Sequence, residues 1–211
     1  RAGGGRAGEG DGATRADRPR RGKRLNVGSA SGAKVAQNQQ SSDLIQALGV
    51  RTGSHYRGAD LRYDKIIIMT DADVDGAHIA SLLITFFYRE LPQLIREGHL
   101  YLAVPPLYKL TQGGKTLYAR DDAHKDELLK KEFSAKGKIE ISRFKGLGEM
   151  MPAQLKETTM ARGKRTLMRV VVPEAEAKET SVAVDRLMGN KPELRFQFIQ
   201  ENAAFATDID I

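Results

Sequence analysis

The most constraining feature of the sequence is the stretch 64–106, in which two short apolar runs flank a longer segment with helical periodicity. Residues 65–70 are rich in isoleucine and too few for a helix, which is typical of a buried strand. Apolar residues recur at helical spacing over 77–95, and a second strand-like run follows at 100–104. Strand, helix and strand in this order predict one βαβ unit of a parallel sheet, and therefore an α/β fold.

Three aspartates, Asp71, Asp73 and Asp75, lie where the first predicted strand ends and the helix begins. Ligands of parallel α/β proteins bind at this carboxyl edge of the sheet. Alternating carboxylates repel one another unless a cation lies between them. Their hard oxygens suit Mg²⁺, which commonly takes one or two carboxylates together with a substrate phosphate. The pattern therefore predicts a magnesium site.

Two other interpretations of the aspartates compete with a magnesium site. The letters D-A-D-V-D-G also open an EF-hand calcium loop, but the twelfth position is Leu82 where a bidentate Glu belongs, and a strand precedes the loop. Helix capping is the second interpretation, since an Asp before a helix accepts a backbone N–H and favours the helix dipole. Capping accounts for one aspartate, whereas three occur within five residues.

Composition sets further bounds on the chain. Its 211 residues suffice for one sizeable domain with an appendage or for two small ones. The absence of cysteine excludes disulfides and thiolate metal sites. Neither a signal peptide nor an apolar run of membrane-spanning length is visible, so we expect a cytoplasmic protein without membrane contact.

The formal net charge of +7 is concentrated near the start of the sequence. Residues 1–24 hold seven Arg and one Lys against three acidic residues, a net +5. Such an excess suits a polyanionic partner, but a Gly/Arg-rich segment is equally typical of a solvated, flexible tail. Charge alone does not choose between them.

Three motifs carry a resemblance to a known family: T-D-A-D-V-D-G-A-H-I at 70–79, P-P-L-Y-K at 105–109 and R-F-K-G-L-G-E-M at 143–150. They resemble the B subunit of bacterial type IIA topoisomerases, in its TOPRIM domain and the region after it. The match runs from about residue 21 to 211. The run 150–160 resembles the topoisomerase IV B subunit more than the gyrase B subunit, which usually has tryptophan where Lys156 stands.

The resemblance implies an architecture. We expect a flexible segment over 1–20 and an N-terminally truncated TOPRIM domain over 21–110, a parallel sheet with flanking helices that lacks its first strand. An α+β C-terminal region of the topoisomerase B subunit would follow over 111–211.

The resemblance also implies site residues. Asp71 and Asp73 would hold Mg²⁺, and Asp75 would support the loop or share a metal through water. Lys23, Asn26 and His78 would contact DNA, a role that suits an ammonium, an amide and an imidazole. From the residues alone, an exposed basic loop around Lys23 and a helix-capping role for His78 remain equally open.

The family's catalytic glutamate, the general acid/base of DNA cleavage, is a separate question. Aligned without a gap, the family's sequence places that glutamate before Arg1. Glu9, in the letters E-G-D at 9–11, is the alternative. However, four of residues 1–8 are glycine, which disfavours the strand that should present it.

The activity implied is cleavage and religation of DNA by transesterification, coupled to ATP-dependent passage of a second duplex. The attacking tyrosine belongs to the A subunit in this family, so the partners implied are duplex DNA and a topoisomerase IV A subunit in an A2B2 heterotetramer. ATP would bind elsewhere in a full-length subunit, since these residues contain no ATP-site motif. The alternatives are a gyrase B segment, a DNA- and partner-binding module without turnover, and a free-standing TOPRIM phosphotransferase or nuclease.

Overall fold

The structure is a computed structural model that describes residues 25–134 and 137–203. The predicted flexible segment 1–20 and the predictions for Glu9 and Lys23 lie outside these residues, as does any strand before residue 25. The described chain forms two compact units that interleave along the sequence. The first contains residues 65–80 and 100–169, and the second contains residues 25–64, 81–99 and 170–203.

Strands and helices alternate through the middle of the chain. The strands are β1 Ile66–Ile68, β2 Leu100–Ala103, β3 Tyr108–Gln112, β4 Lys115–Ala119, β5 Glu140–Arg143 and β6 Leu167–Arg169. The helices are α1 Gly32–Gln37, α2 Gln39–Leu48, α3 Val74–Glu90, α4 Pro92–Arg96, α5 Asp122–Lys131, α6 Pro152–Leu155, α7 Ala177–Met188 and α8 Pro192–Asn202. This content confirms the predicted α/β class. Among the described helices, none combines the length and apolarity that a membrane span requires.

The predicted βαβ unit is present in the first unit's sheet of three strands, ordered β1-β2-β6. β1 and β2 run parallel, with Ile66 opposite Leu100, and β6 pairs antiparallel with the other side of β2. Parallel strands need a crossover connection, which α3 and α4 provide. The carboxyl end of β1 therefore leads directly into the three aspartates.

The crossover differs from the single helix predicted over 77–95. α3 ends at Glu90, and α4 starts at Pro92 after Leu91 leaves the helical conformation with φ −138°. Proline lacks an N–H and disfavours the helical conformation of the residue before it, so it starts a new helix more readily than it continues one. The apolar periodicity continues across this break, so the hydrophobic pattern does not indicate that one helix ends and another begins.

The second sheet of the first unit has the order β4-β3-β5, all antiparallel. In the sequence, alternation over 107–120 on both sides of Gly113–Gly114 predicts a hairpin, and β3 and β4 confirm it with their turn at these glycines. Asp121 and Asp122 are both candidate caps for the next helix, and the structure selects Asp121, which accepts a hydrogen bond of 2.7 Å from His124 N at the start of α5. Leu128 and Leu129 of α5 pack against a buried cluster at this sheet, formed by Tyr108, Leu110, Ala119 and Phe133.

The core of the second unit is supplied by the second half of α3 and by α4. Phe86 and Phe87 are almost fully buried and meet edge to face with ring centroids 5.4 Å apart. Also buried are Leu82, Leu91, Leu94 and Ile95. Leu44, Ile45 and Leu48 stand at helical spacing and predict one helix over 36–48. The structure has two helices there, α1 and α2, because the Asn38 side chain accepts a hydrogen bond from Ser41 N and begins the second one.

The later part of the sequence predicts elements whose ends differ from those in the structure. Its patterns predict strands at 138–142 and 165–172, where the structure has β5 and the shorter β6. A helix predicted over 152–160 starts as α6 and continues as a π-helical turn, Lys156–Met160. Helices predicted over 182–188 and 193–206 correspond to α7, which begins earlier at Ala177, and to α8.

Candidate metal and nucleic-acid site

The connection from β1 to α3 is short, because β1 ends at Ile68 and α3 begins at Val74. Gly76, in the first turn of α3, is buried and lies against the Asp71 backbone. A Cβ at Gly76 would lie 2.1 Å from the Asp71 carbonyl oxygen, a distance that no side chain tolerates. Glycine is therefore required for the chain to turn this tightly from strand to helix.

Asp73 caps α3. Its Oδ1 accepts a hydrogen bond of 2.6 Å from Gly76 N, and its carbonyl oxygen accepts one of 2.9 Å from Ala77 N. The negative charge also lies at the positive end of the helix dipole. The capping interpretation is thus confirmed for this one aspartate, and the cap fixes the position of its carboxylate.

Asp71 is held by a different part of the chain. Its Oδ1 accepts a hydrogen bond of 2.7 Å from the backbone N–H of Leu147, in the G-L-G turn that follows β5. Gly146 makes room for the same oxygen, since a Cβ there would lie 3.1 Å from it. The sequence analysis uses this turn only for the family resemblance and does not predict its contact with Asp71. The glycine beside Leu147 was the available signal, because it permits a close approach.

The residues present fit a divalent cation. Asp71 and Asp73 are exposed, and each uses one carboxylate oxygen for a backbone N–H and retains a second with which to bind a metal. Carboxylate oxygens are the ligands that Mg²⁺ prefers. Among the described residues, no group of three or more His, Cys, Asp or Glu side chains is arranged around one metal position. A pair of carboxylates would leave most of the shell of such a cation to water or phosphate oxygens, which is common for Mg²⁺.

Asp75 and His78 lie at the start of α3, and both are exposed. Asp75 is in the first turn, where a negative charge favours the helix dipole. The N-cap position is occupied by Asp73, so His78 is not the residue that caps this helix. On α3, His78 lies three residues after Asp75.

Asn26 is half-buried and makes two hydrogen bonds within the second unit. Its side-chain nitrogen donates to the Met188 carbonyl oxygen at 2.9 Å, and its oxygen accepts from Gly28 N at 3.0 Å. The amide thus fixes the end of α7 to the loop before α1. Its predicted contact with DNA stays a prediction, as does that of Lys23.

Two tyrosines have a pKa above the usual range. Burial raises the pKa of Tyr56, and a hydrogen bond of 2.6 Å to the Glu97 carboxylate and the charge of Glu97 raise it further. Burial and the charge of Glu157 raise the pKa of Tyr118, although a hydrogen bond with Gln154 acts in the opposite direction. A nucleophilic hydroxyl needs an adjacent base or a lowered pKa. The pKa of both tyrosines is raised, so neither hydroxyl is activated by a lowered pKa.

Comparison with known proteins identifies the two parts of the chain. Residues 15–105 match the Toprim domain, and residues 136–200 match the carboxyl terminus of the DNA gyrase B subunit. The DNA topoisomerase 4 B subunit of Bartonella bacilliformis is 66% identical over 193 residues, which make up 92% of this chain and 28% of that protein. The chain belongs to the B subunits of the bacterial type IIA topoisomerases.

Other relatives in this family differ in their distance from the chain. The DNA topoisomerase 4 B subunit of Caulobacter vibrioides is 66% identical over 194 residues, again 92% of this chain and 28% of the relative. The DNA gyrase B subunit of Metamycoplasma hominis is 47% identical over 193 residues, 92% of this chain and 29% of that protein. The chain thus spans between a quarter and a third of the length of these relatives. Its Toprim domain implies a divalent metal ion.

Proposed function

We propose that this chain supplies the Mg²⁺-binding half of the DNA cleavage and religation site of a topoisomerase IV B subunit. In the complete enzyme this site serves ATP-dependent passage of one duplex through another, which relaxes and decatenates DNA. The observation that carries the proposal is the pair Asp71 and Asp73 at the carboxyl end of β1, each held by a backbone N–H. This pair occurs in a chain 66% identical to proteins named as B subunits of DNA topoisomerase 4.

The comparisons favour topoisomerase IV over gyrase as the parent enzyme. The first relatives named as topoisomerase 4 B subunits are 55% to 66% identical, against 47% for the gyrase B subunit of Metamycoplasma hominis. Lys156, where gyrase usually has tryptophan, lies in the π-helical turn after α6 and agrees with this assignment.

In the proposed site, Asp71 and Asp73 bind the metal through the oxygens that the backbone N–H groups do not use. A bound Mg²⁺ would neutralise charge that develops on the phosphate and lower the pKa of the leaving 3′-oxygen. The N–H groups of Leu147 and Gly76 hold the two carboxylates before DNA arrives, so little reorganisation is needed. His78 donates to a nearby phosphate, and Lys23 contacts the DNA backbone.

The partners follow from the family resemblance, in which the attacking tyrosine belongs to the A subunit. We propose that the attacking tyrosine comes from a topoisomerase IV A subunit, in an A2B2 assembly, and that the duplex lies between the two subunits. Asn26 would contact DNA together with Lys23. An enzyme acting on the bacterial chromosome would operate in the cytoplasm, and ATP would bind in a part of the enzyme outside these 211 residues.

Complex formation tests this proposal. The 211-residue chain, a topoisomerase IV A subunit and a labelled duplex are run together by size exclusion at micromolar concentration, with Mg²⁺ or with EDTA. We expect co-elution, and we expect Mg²⁺ to increase the share of labelled DNA in the complex. The variant Asp71→Asn/Asp73→Asn should retain the protein complex and lose the Mg²⁺ effect.

The outcomes separate the alternatives. Separate elution of the two proteins would contradict the topoisomerase assignment. Co-elution with DNA that is equal in Mg²⁺ and EDTA would instead favour a DNA- and partner-binding module without turnover.

A further inference from the structure

We infer that the Gly146–Leu147 turn is a positioning element for the metal-binding carboxylate of Asp71. The inference rests on the proposed function, in that Asp71 is taken as a metal ligand. It goes further by assigning a role to backbone atoms that lie 76 residues away in sequence. The Leu147 N–H reaches Oδ1 of Asp71 at 2.7 Å, well within the range of a charge-assisted hydrogen bond.

The turn is built to hold that N–H in place. Phe144, before the turn, is buried and donates its N–H to the Leu107 carbonyl oxygen at 2.8 Å. Met150, after the turn, is also buried. Across the turn, the Glu149 carboxylate accepts a hydrogen bond of 2.8 Å from Lys145 N. The segment is thus anchored at both ends and closed by one of its own side chains.

The turn also lies so close to Asp71 that a side chain on Gly146 would press against the carboxylate. A Cβ on Gly146 would lie 3.1 Å from Oδ1 and 3.2 Å from Cγ of Asp71, closer than ordinary van der Waals contact. Gly148, two residues on, has no atom within 4 Å of the corresponding position. Of the two glycines of G-L-G, only the first is therefore close enough for a side chain to displace the carboxylate.

The chemical consequence is a fixed direction for the metal-binding oxygen. A carboxylate with a free torsion must lose that freedom when it binds a cation. The Leu147 N–H fixes the torsion beforehand by holding Oδ1, which leaves Oδ2 to bind. Loss of such an outer hydrogen bond typically costs about 10- to 100-fold in metal affinity. The Leu147 N–H and the space at Gly146 are thus positioning groups that act on the metal through Asp71.

The pair Leu147→Pro and Leu147→Ala tests the N–H directly. Proline removes the N–H that Asp71 uses and puts its Cδ in that place, so the carboxylate loses the hydrogen bond and must turn away from Leu147. Leu147 is the first residue of a 3₁₀ turn, and Gly146 before it is extended at φ −169° and ψ 171°. Alanine removes the Leu147 side chain equally and keeps the N–H. Binding of Mn²⁺ to the full 211-residue chain is measured from the free-ion electron paramagnetic resonance signal, beside the thermal unfolding midpoint of each variant.

We expect the dissociation constant for Mn²⁺ to rise about tenfold or more in Leu147→Pro and to stay within about twofold of wild type in Leu147→Ala. A second pair, Gly146→Ala and Gly148→Ala, decides the matter if the proline variant does not fold. There the weakening should be confined to Gly146→Ala, with similar unfolding midpoints.

The failure of this inference is distinguishable from the failure of the proposed site. If wild type binds Mn²⁺, Asp71→Asn weakens it, and both Leu147 variants bind equally, the positioning role is wrong while the metal site stands. If Asp71→Asn binds Mn²⁺ as tightly as wild type, Asp71 is not a ligand and both proposals fall.

Discussion

The Asp71 carboxylate accepts a hydrogen bond of 2.7 Å from the backbone N–H of Leu147, a residue in a turn that follows a different sheet. The first unit therefore brings the end of β1 and the turn after β5 to one place. Asp73, two residues on, is fixed locally by its own helix. One carboxylate thus depends on tertiary structure for its position, and the other on helix capping, so the two respond differently to substitution.

Removal of the two charges should abolish divalent-metal binding. In Asp71→Asn/Asp73→Asn, each side chain keeps an oxygen that accepts its backbone N–H, so the fold is retained while the ligand charge is lost. We expect calorimetric titration with Mg²⁺ to give a weak binding isotherm for wild type and none for the double variant. Asp126→Asn, an exposed aspartate on α5, is the matched control and should bind as wild type does. Identical isotherms for wild type and the double variant would end the metal assignment.

The two roles of Asp73 should separate by substitution. Asp73→Ala removes the N-cap of α3 and should lower the free energy of unfolding by about 1 kcal/mol. Asp73→Asn keeps an oxygen for Gly76 N and should remain near wild type in stability. Both variants should weaken Mg²⁺ binding, because both lose the charge. Urea denaturation of the three proteins measures the first effect, and equal stability of Asp73→Ala and wild type would show that the cap contributes nothing.

Local patterns explain which parts of this site were predictable. The strand, the following helix and the aspartates between them are encoded within 66–90, so their order along the chain fixes the carboxyl edge on which they lie. The capping role of Asp73 likewise needs only its own helix. The Leu147 contact could not be read in this way, because it joins segments that periodicity treats independently.

The misplaced helix ends have a comparable cause. Periodicity records which side chains face the core, and those of α3 and α4 continue in phase across Leu91. The break comes from backbone chemistry at Pro92, which a hydrophobic pattern does not record.

The division of the chain at residue 110 stays a prediction. The two compact units of the structure are each made of alternating segments, so they do not correspond to residues before and after that position.

Alkaline pH should destabilise the fold through Tyr56. Its pKa is raised in the folded state by burial and by Glu97, above the ordinary value of 10.0 that holds when the chain is unfolded. The phenol therefore ionises more readily in the unfolded chain. Its contribution to stability is complete below about pH 10 and declines as the pH rises above that value.

The variant Tyr56→Phe isolates this effect. At pH 8 it should be less stable than wild type by about 1 kcal/mol, because the hydrogen bond to Glu97 is lost. Between pH 8 and pH 11 it should lose less stability than wild type does. Urea denaturation at both values measures the difference, and parallel losses in the two proteins would contradict the role given to Tyr56.

DNA binding should depend on salt through Lys23 and the arginines around it. Each phosphate contact removed should flatten the slope of log K against log salt by about 0.9. We expect this change in Lys23→Ala, measured by fluorescence anisotropy of a labelled duplex between 50 and 200 mM salt, about the range over which such contacts are lost. Lys130→Ala, exposed on α5, is the control. Unchanged affinity and slope in Lys23→Ala would show that this loop does not touch DNA.

The 211-residue chain mixed with a topoisomerase IV A subunit should neither relax nor decatenate DNA. Strand passage in this family is driven by ATP, and the sequence contains no ATP-site motif. Supercoiled and catenated substrates, incubated with Mg²⁺ and ATP and resolved on agarose gels, provide the measurement. Conversion of either substrate would contradict the expectation.

DNA cleavage by the same mixture should be reduced to a trace, because we expect the catalytic glutamate to be missing and Glu9 not to replace it. Breaking the phosphodiester requires a proton donor for the 3′-oxygen, and positioned acid/base catalysis contributes on the order of 10² to 10⁴ in rate. The gapless alignment places the family's glutamate ahead of Arg1, whereas the E-G-D at 9–11 offers Glu9. Quinolone-trapped cleavage of an end-labelled duplex distinguishes them. Strong Mg²⁺-dependent cleavage that Glu9→Gln abolishes would prove the alignment wrong, because the glutamine keeps the size of the side chain and removes only its proton-transfer chemistry.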